Sequence, residues 1–203
     1  MKPARFALLA LLPLFPPPAG AQTQPTAVAR GAIERVSPDG ATLVTRTRDG
    51  REQTIRLGDA STVTLVLSAT LADVKPGAFI GVAAVPGDGG ALKAMEVHIF
   101  PESMRGTGEG HRPFDLAPGS TMTNGAVAAR VDGVGGASVT VTYNGGQQVI
   151  AVDPGAPIVS FAPGARADLK PGAAVVARGP REGDGTIDAM RILVGKDGLV
   201  PPL

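Results

Sequence analysis

The sequence predicts an all-β protein built as two small closed β-barrels in tandem, about six strands each, joined by an irregular linker. Three observations carry that expectation. Glycine and proline are abundant, at 28 and 19 of 203 residues, which favours turns and short strands over long helices. Apolar and polar residues alternate in short runs, as in Ser138-Val139-Thr140-Val141-Thr142-Tyr143, the period of a strand with one buried face. The chain also carries the same pattern twice.

Gly31–Leu57 (GAIERVSPDGATLVTRTRDGREQTIRL) is answered by Gly125–Val152 (GAVAARVDGVGGASVTVTYNGGQQVIAV). Ala72–Gly77 (ADVKPG) is answered by Ala167–Gly172 (ADLKPG), and Ala94-Met95 by Ala189-Met190. The offset is about 95 residues and the unit about 70, which marks an internal duplication.

Taken in order, the chain opens with Lys2 and Arg5, an apolar run Phe6–Phe15 broken by Pro13, and Ala19-Gly20-Ala21. A basic start, a short apolar segment and an A-x-A site are the parts of a secretory signal peptide, so residues 1–21 are expected to be cleaved after Ala21. The apolar run is too short to span a bilayer, and no later segment reads as a transmembrane helix. A periplasmic or secreted protein is the expectation. Losing Lys2 and Arg5 would leave 17 basic against 18 acidic residues. Residues 22–28 read as a disordered lead-in, 29–100 as the first barrel repeat, 101–122 as the linker, 123–195 as the second barrel repeat and 196–203 as a tail.

Within each repeat, Asp49-Gly50 and Asn144-Gly145 join two strands as hairpins, because both dipeptides tolerate positive φ. Val63–Leu67 and Ile158–Phe161 read as short separate strands. The A-D-[VL]-K-P-G motif is a turn device in which proline sets φ, glycine allows a left-handed step, and the aspartate can accept backbone N–H bonds. Phe79–Val85 and Ala174–Ala177 are apolar enough for buried strands. Glycine-rich turns at Gly87–Gly90 and Gly183–Gly185 lead to the last strand of each copy, where Met95, Val97 and Ile99 align with Met190, Ile192 and Val194 as the core face. Six short strands with one brief helical turn suggest an OB-like barrel, whose closure removes exposed edges.

Composition excludes several functions. The chain has 19 Lys+Arg against 18 Asp+Glu, which offers no electrostatic footprint for nucleic acid. Arg46, Arg48, Arg51 and Arg56 cluster around one hairpin but are interrupted by Asp49 and Glu52, as on a solvated face. The absence of cysteine removes disulfides, thiol catalysis and thiolate metal sites. With 3% aromatic residues, the core must rest on Val, Ile, Leu, Ala and a few Phe.

Phe100–Gly125 belongs to neither repeat and collects the unusual side chains. Glu96 and His98 lie at i and i+2 on the outward face of the strand before it, while their counterparts Arg191 and Leu193 have no metal chemistry. Glu102, Met104, Glu109, His111, Asp115 and Met122 add oxygen, nitrogen and thioether donors. A site from His98, His111, Glu96, Glu102 and Met104 would suit a copper or divalent ion such as Zn or Mn. The plainer reading is a clasp, with Phe100 and Phe114 docked on the barrels and Arg105 and Arg112 paired with Glu102, Glu109 or Asp115. Ser103 or Ser120 with His111 and Asp115 can be drawn as a hydrolytic triad, but no spacing favours it, and Gly106–Gly110 lacks the lysine and strand-to-helix setting of a phosphate loop.

A G-x-[IV] start, a T-[VL] hairpin strand, the motif A-D-[VL]-K-P-G and the final G-x-[LI]-x-A-M-x-[VI] strand occur in both copies. On these motifs the mature chain, apart from its linker, resembles a bacterial exported family known as domain of unknown function number 5666. The resemblance implies a small OB-like barrel and no known activity. Proteins similar to the whole chain, centre included, are sometimes labelled metal ABC transporter permeases, which implies at most a link to metal transport. The expectation is a non-enzymatic exported binding module whose partner is an envelope protein or polymer. The alternative is a periplasmic metal-binding accessory protein, and a hydrolase is the remote third.

Overall fold

A computed structural model describes residues 26–87, 91–133 and 135–202. The expected signal peptide (1–21), residues 22–25 and most of the Gly87–Gly90 turn lie outside the described residues. The fold is all-β. Its strands are β1 (Thr26–Val36), β2 (Thr42–Thr47), β3 (Glu52–Ser68), β4 (Phe79–Pro86), β5 (Leu92–Ile99) and β6 (Gly110–Pro113). They continue as β7 (Thr121–Gly133), β8 (Gly136–Tyr143), β9 (Gly146–Val152), β10 (Ile158–Pro163), β11 (Ala174–Pro180) and β12 (Ile187–Gly195).

Local chemistry explains the turns. Gly50 and Gly145 adopt φ of 81° and 103° at the hairpin tips, where a side chain would be strained. In the A-D-[VL]-K-P-G motif the aspartate caps a single 3₁₀ turn: Asp73 Oδ2 accepts from Thr70 N at 2.9 Å, and Asp168 Oδ2 from Ala165 N at 2.8 Å. The Thr70 hydroxyl donates to the same carboxylate, and these bonds hold the Asp73 carboxyl below its ordinary pKa.

Strand pairing departs from the tandem expectation. β1, β2, β3, β12 and β11 close a barrel, with β11 returning to β1. This barrel has five strands rather than about six, and it takes three from the first copy and two from the second. The remaining strands form a second circuit, β4–β5–β9–β8–β7 and back to β4, with the complementary exchange. Residues 29–100 therefore do not close on themselves. The reason is β3. Instead of stopping before a separate strand at Val63–Leu67, it is one strand of 17 residues, with a register break against β12 between Leu57 and Thr62. Its length carries the chain out of the barrel before β4 begins.

The far end of β3 meets β10, its counterpart in the second copy. Val66 pairs with Phe161, and Thr64 and Ser68 pair with Pro163 and Val159, so equivalent positions meet around a local two-fold relation. Three apolar clusters follow. Leu43, Ile55, Ile187 and Ile192 fill the closed barrel, and Ile80, Val82, Val141 and Ile150 fill the second circuit. Val66, Phe161, Val176 and Leu193, with Phe100 and Met104, form a layer between the two.

Two further expectations are corrected. Residues 26–28 are the start of β1, paired with Pro180, Gly179 and Arg178, not part of a disordered lead-in. Met95 and Met190 are not core residues. Met95 is the extra residue of a β-bulge between Ala94 and Glu96, Met190 is skipped where the register breaks between Ala189 and Arg191, and Met190 is 67% exposed. A bulge shifts the period-two count by one, so Ala94 and Val97, and Ala189 and Ile192, face the cores instead.

Candidate functional site

The outer face of β5 and the outer faces of β11 and β12 oppose each other across the apolar layer. Because pleated strands alternate sides, Val97 points into its ring and Glu96 and His98 point out of it, toward the other barrel. Both are 2% exposed, so the outward face of this strand is covered. From the other side, Val176 pairs with Leu193 and Arg178 with Arg191, and these alternate with the barrel-filling Val175, Ala177 and Ile192. The positions of Glu96 and His98 in one copy are those of Arg191 and Leu193 in the other. Two surfaces at corresponding sequence positions therefore face each other, with different side chains on each side.

Between them lies a cleft of about 280 Å³. Its floor and walls are apolar: Phe100, Phe161, Met104, Met122, Val176 and Leu193. Phe100 packs edge-on against Phe79 and Phe161, with ring centroids 5.6 and 5.3 Å apart. Its polar lining is His98, Asn124, Thr107 and three arginines, Arg112, Arg178 and Arg191, without a carboxylate.

Three buried polar atoms end in this region without a partner. His98 Nε2 comes within 3.2 Å of Glu96 Oε1, but the two are not aligned as a hydrogen bond and neither atom has another partner. Asn124 is 4% exposed; its Nδ2 donates to Thr107 O at 2.9 Å, while Oδ1 has no donor. Leaving such groups unmet costs about 1–3 kcal/mol each, so they mark the place where a ligand would be rewarded most. Arg112 is braced by a 2.6 Å bond from Nη1 to Gly108 O. Arg178 and Arg191 make no hydrogen bond or ion pair among the described residues. Burial lowers the Arg178 pKa from its usual value; Asp115 and Glu96 oppose that effect, while Arg30 and Arg191 add to it.

The structure gathers only part of the residue set expected for a metal. His98, Glu96 and Met104 collect at this layer. His111 does not. Along the register, His98 pairs with Gly81, Gly81 with Asn124 and Asn124 with Gly110, which places His111 three strands from His98 and on the opposite face. There its Nδ1 lies 2.8 Å from Thr123 Oγ1 and its ring stacks on Tyr143. Glu102 is held by Arg105, which donates to its Oε2 at 2.8 Å and to Gly77 O at 2.9 Å. That bond holds the Glu102 carboxyl below its usual pKa. Among the described residues, no three His, Cys, Asp or Glu side chains converge on one point.

The other linker roles also resolve. Arg105 pairs with Glu102 as a clasp, but Arg112 binds a carbonyl rather than a carboxylate, and Glu109 accepts from Asn144 N at 2.9 Å. Ser120 Oγ donates to Phe114 O at 2.9 Å, away from His111. Part of the supposed linker is regular: Gly110–Pro113 forms β6 on the edge of β7. Sequence reading missed Asn124, Arg178, Arg191 and Phe161. The only signal for them was that Arg191 replaces a carboxylate between copies.

The chain matches no family model, no curated protein and no solved structure. Among the described residues, no helix is long and apolar enough to cross a membrane.

Proposed function

We propose that the protein is an exported binding module that performs no chemical step and takes a small ligand in the cleft between its two rings. One observation carries this reading: His98 Nε2 and Asn124 Oδ1 are buried without partners beside an apolar cleft of ligand size. Two rings that exchange strands make a stiff frame, and a stiff frame keeps such a site pre-formed. We read both rings as OB-like five-strand barrels and the chain as a divergent relative of the exported family it resembles. An envelope protein or polymer would then meet the molecule elsewhere, on its outer faces.

The test uses methionine methyl groups labelled with ¹³C. Met104 and Met122 line the cleft, and Met190 is exposed outside it. A fragment mixture of small neutral aromatics and organic acids should shift the first two signals and leave Met190 in place. A uniform or absent response would remove the cleft as the site.

A second reading, a bound cation, has one observation in its favour. Glu96 Oε1 and His98 Nε2 stand 3.2 Å apart without hydrogen-bond partners, a spacing two ligands of one ion can have, with the thioether of Met104 in the same layer. Three arginines in the lining count against it. Titration with Cu, Zn or Mn, compared between the native chain and His98→Ala, decides; equal response in both removes this reading.

A further inference from the structure

The arginines and the apolar walls of the cleft belong to one recognition surface. We infer that the cleft ligand is a small organic acid, its carboxylate held by Arg191 and Arg178 and its apolar body laid on Phe100, Phe161, Leu193 and the two methionines. This rests on the proposed function, whose site it shares, and adds the chemical class.

Charge complementarity is the first support. Arg112, Arg178 and Arg191 all line the cleft and no carboxylate does. Arg112 is already committed to Gly108 O. Arg178 and Arg191 stand opposite each other on paired strands with no hydrogen-bond acceptor among the described residues. Two guanidiniums side by side repel, and one of them is desolvated, so an anion between them relieves both costs at once. Asp115 and Glu96 reduce the local positive charge at Arg178 but neither lines the cleft.

Shape is the second support. A bare inorganic anion would leave the Phe100–Phe161 corner and the Met104 and Met122 side chains facing an empty apolar space, which is the part that gains most from an apolar ligand. At about 280 Å³ the cleft sits at the lower edge of the roughly 300–1,000 Å³ usual for small-ligand sites, which limits the guest to a compact aryl or medium-chain acid. The donors complete the match. A carboxylate can accept from both guanidiniums, and the unmet Asn124 Oδ1 can accept from a hydroxyl or amide N–H on the guest.

The experiment titrates the full mature chain with phenylacetate and octanoate, with their neutral amides, and with inorganic phosphate, reading the Met104 and Met122 methyl signals. The acids should bind about tenfold or more tightly than the amides, as loss of a charged hydrogen bond implies. Arg191→Met, at an exposed position, should reduce the acids to the affinity of the amides and leave the amides unchanged; Arg178→Met should act in the same direction. Equal binding of acid and amide, unaltered in Arg191→Met, would overturn the anion assignment while leaving the cleft as an apolar site. Phosphate binding as strong as either acid would overturn the role of the apolar walls. No response to acid or amide would overturn this inference together with the cleft reading, and a preserved methyl spectrum in each variant confirms that the fold is intact.

Discussion

The two rings follow the same pairing scheme, yet β3 is one strand where its counterpart is divided into two. In the closed barrel, β12 runs parallel to β3 from Ile187 at Ile55 to Gly195 at Val66, with a register break between Leu57 and Thr62. In the second ring the equivalent seam is divided: β5 meets β9 only at Leu92–Ile150 and Lys93–Ala151, then meets β10 at Val97–Ile158 through Ile99–Ser160. The difference lies in five residues. Gly58–Thr62 (GDAST) remains within one strand although Gly58–Ser61 have no register partner on β12, whereas Asp153–Pro157 (DPGAP) turns, with Ala156 N donating to Asp153 O at 3.0 Å. Only the second segment carries proline, twice, and proline lacks the ladder N–H, so the same length of chain breaks where the other stays in one strand. Equivalent pairing thus leaves the two seams differently built over the same five residues.

The largest effect should come from the cores. Ile55 and Ile150 are equivalent residues, each fully buried beside its own seam. Each change to alanine should cost about 2–5 kcal/mol. Because every ring holds strands from both copies, denaturant melts followed in either half should shift together as one transition. Separate transitions for the two rings would show that the exchanged strands do not couple them.

A mid-sized effect tests the seam itself. Grafting GDAST in place of Asp153–Pro157 should join β9 to β10 and slow amide exchange at Ile150 and Ala151 by about tenfold or more, while the reverse graft at Gly58–Thr62 should loosen β3 against β12. If neither graft alters exchange, the composition of these five residues does not control closure. The smallest effect belongs to the bulges. Met190→Ala removes an exposed side chain from a position outside both cores and should change stability by no more than about 0.5 kcal/mol. A large loss there would restore Met190 to the core that period-two counting assigns it.

Much of this molecule was readable in its residues, though unevenly. The hairpins at Asp49-Gly50 and Asn144-Gly145, the aspartate-capped turn and the inward faces of β4 and β8 all follow from local rules of φ, capping and alternation. Met95 misled because a bulge changes which residues share a face, and only the cross-strand partner reveals the skipped residue. The candidate site was half legible. His98 and Glu96 were visible as unusual residues, but their partners across the cleft come from β10, β11 and β12, some 60 to 100 residues away in sequence. His111, nearer in sequence, lies on the other face.

By itself, the sequence determined the strand-rich character and the chemistry of the turns, because these depend on neighbours along the chain. Only the tertiary structure decided which copy's strands close which ring. Both copies carry the same alternation, so a strand fits its own copy and the other copy equally well by pattern. The length of β3 and the pairing of Val66 with Phe161 resolve that choice. The same choice brings Glu96 and His98 against Arg191 and Leu193, and so makes the cleft.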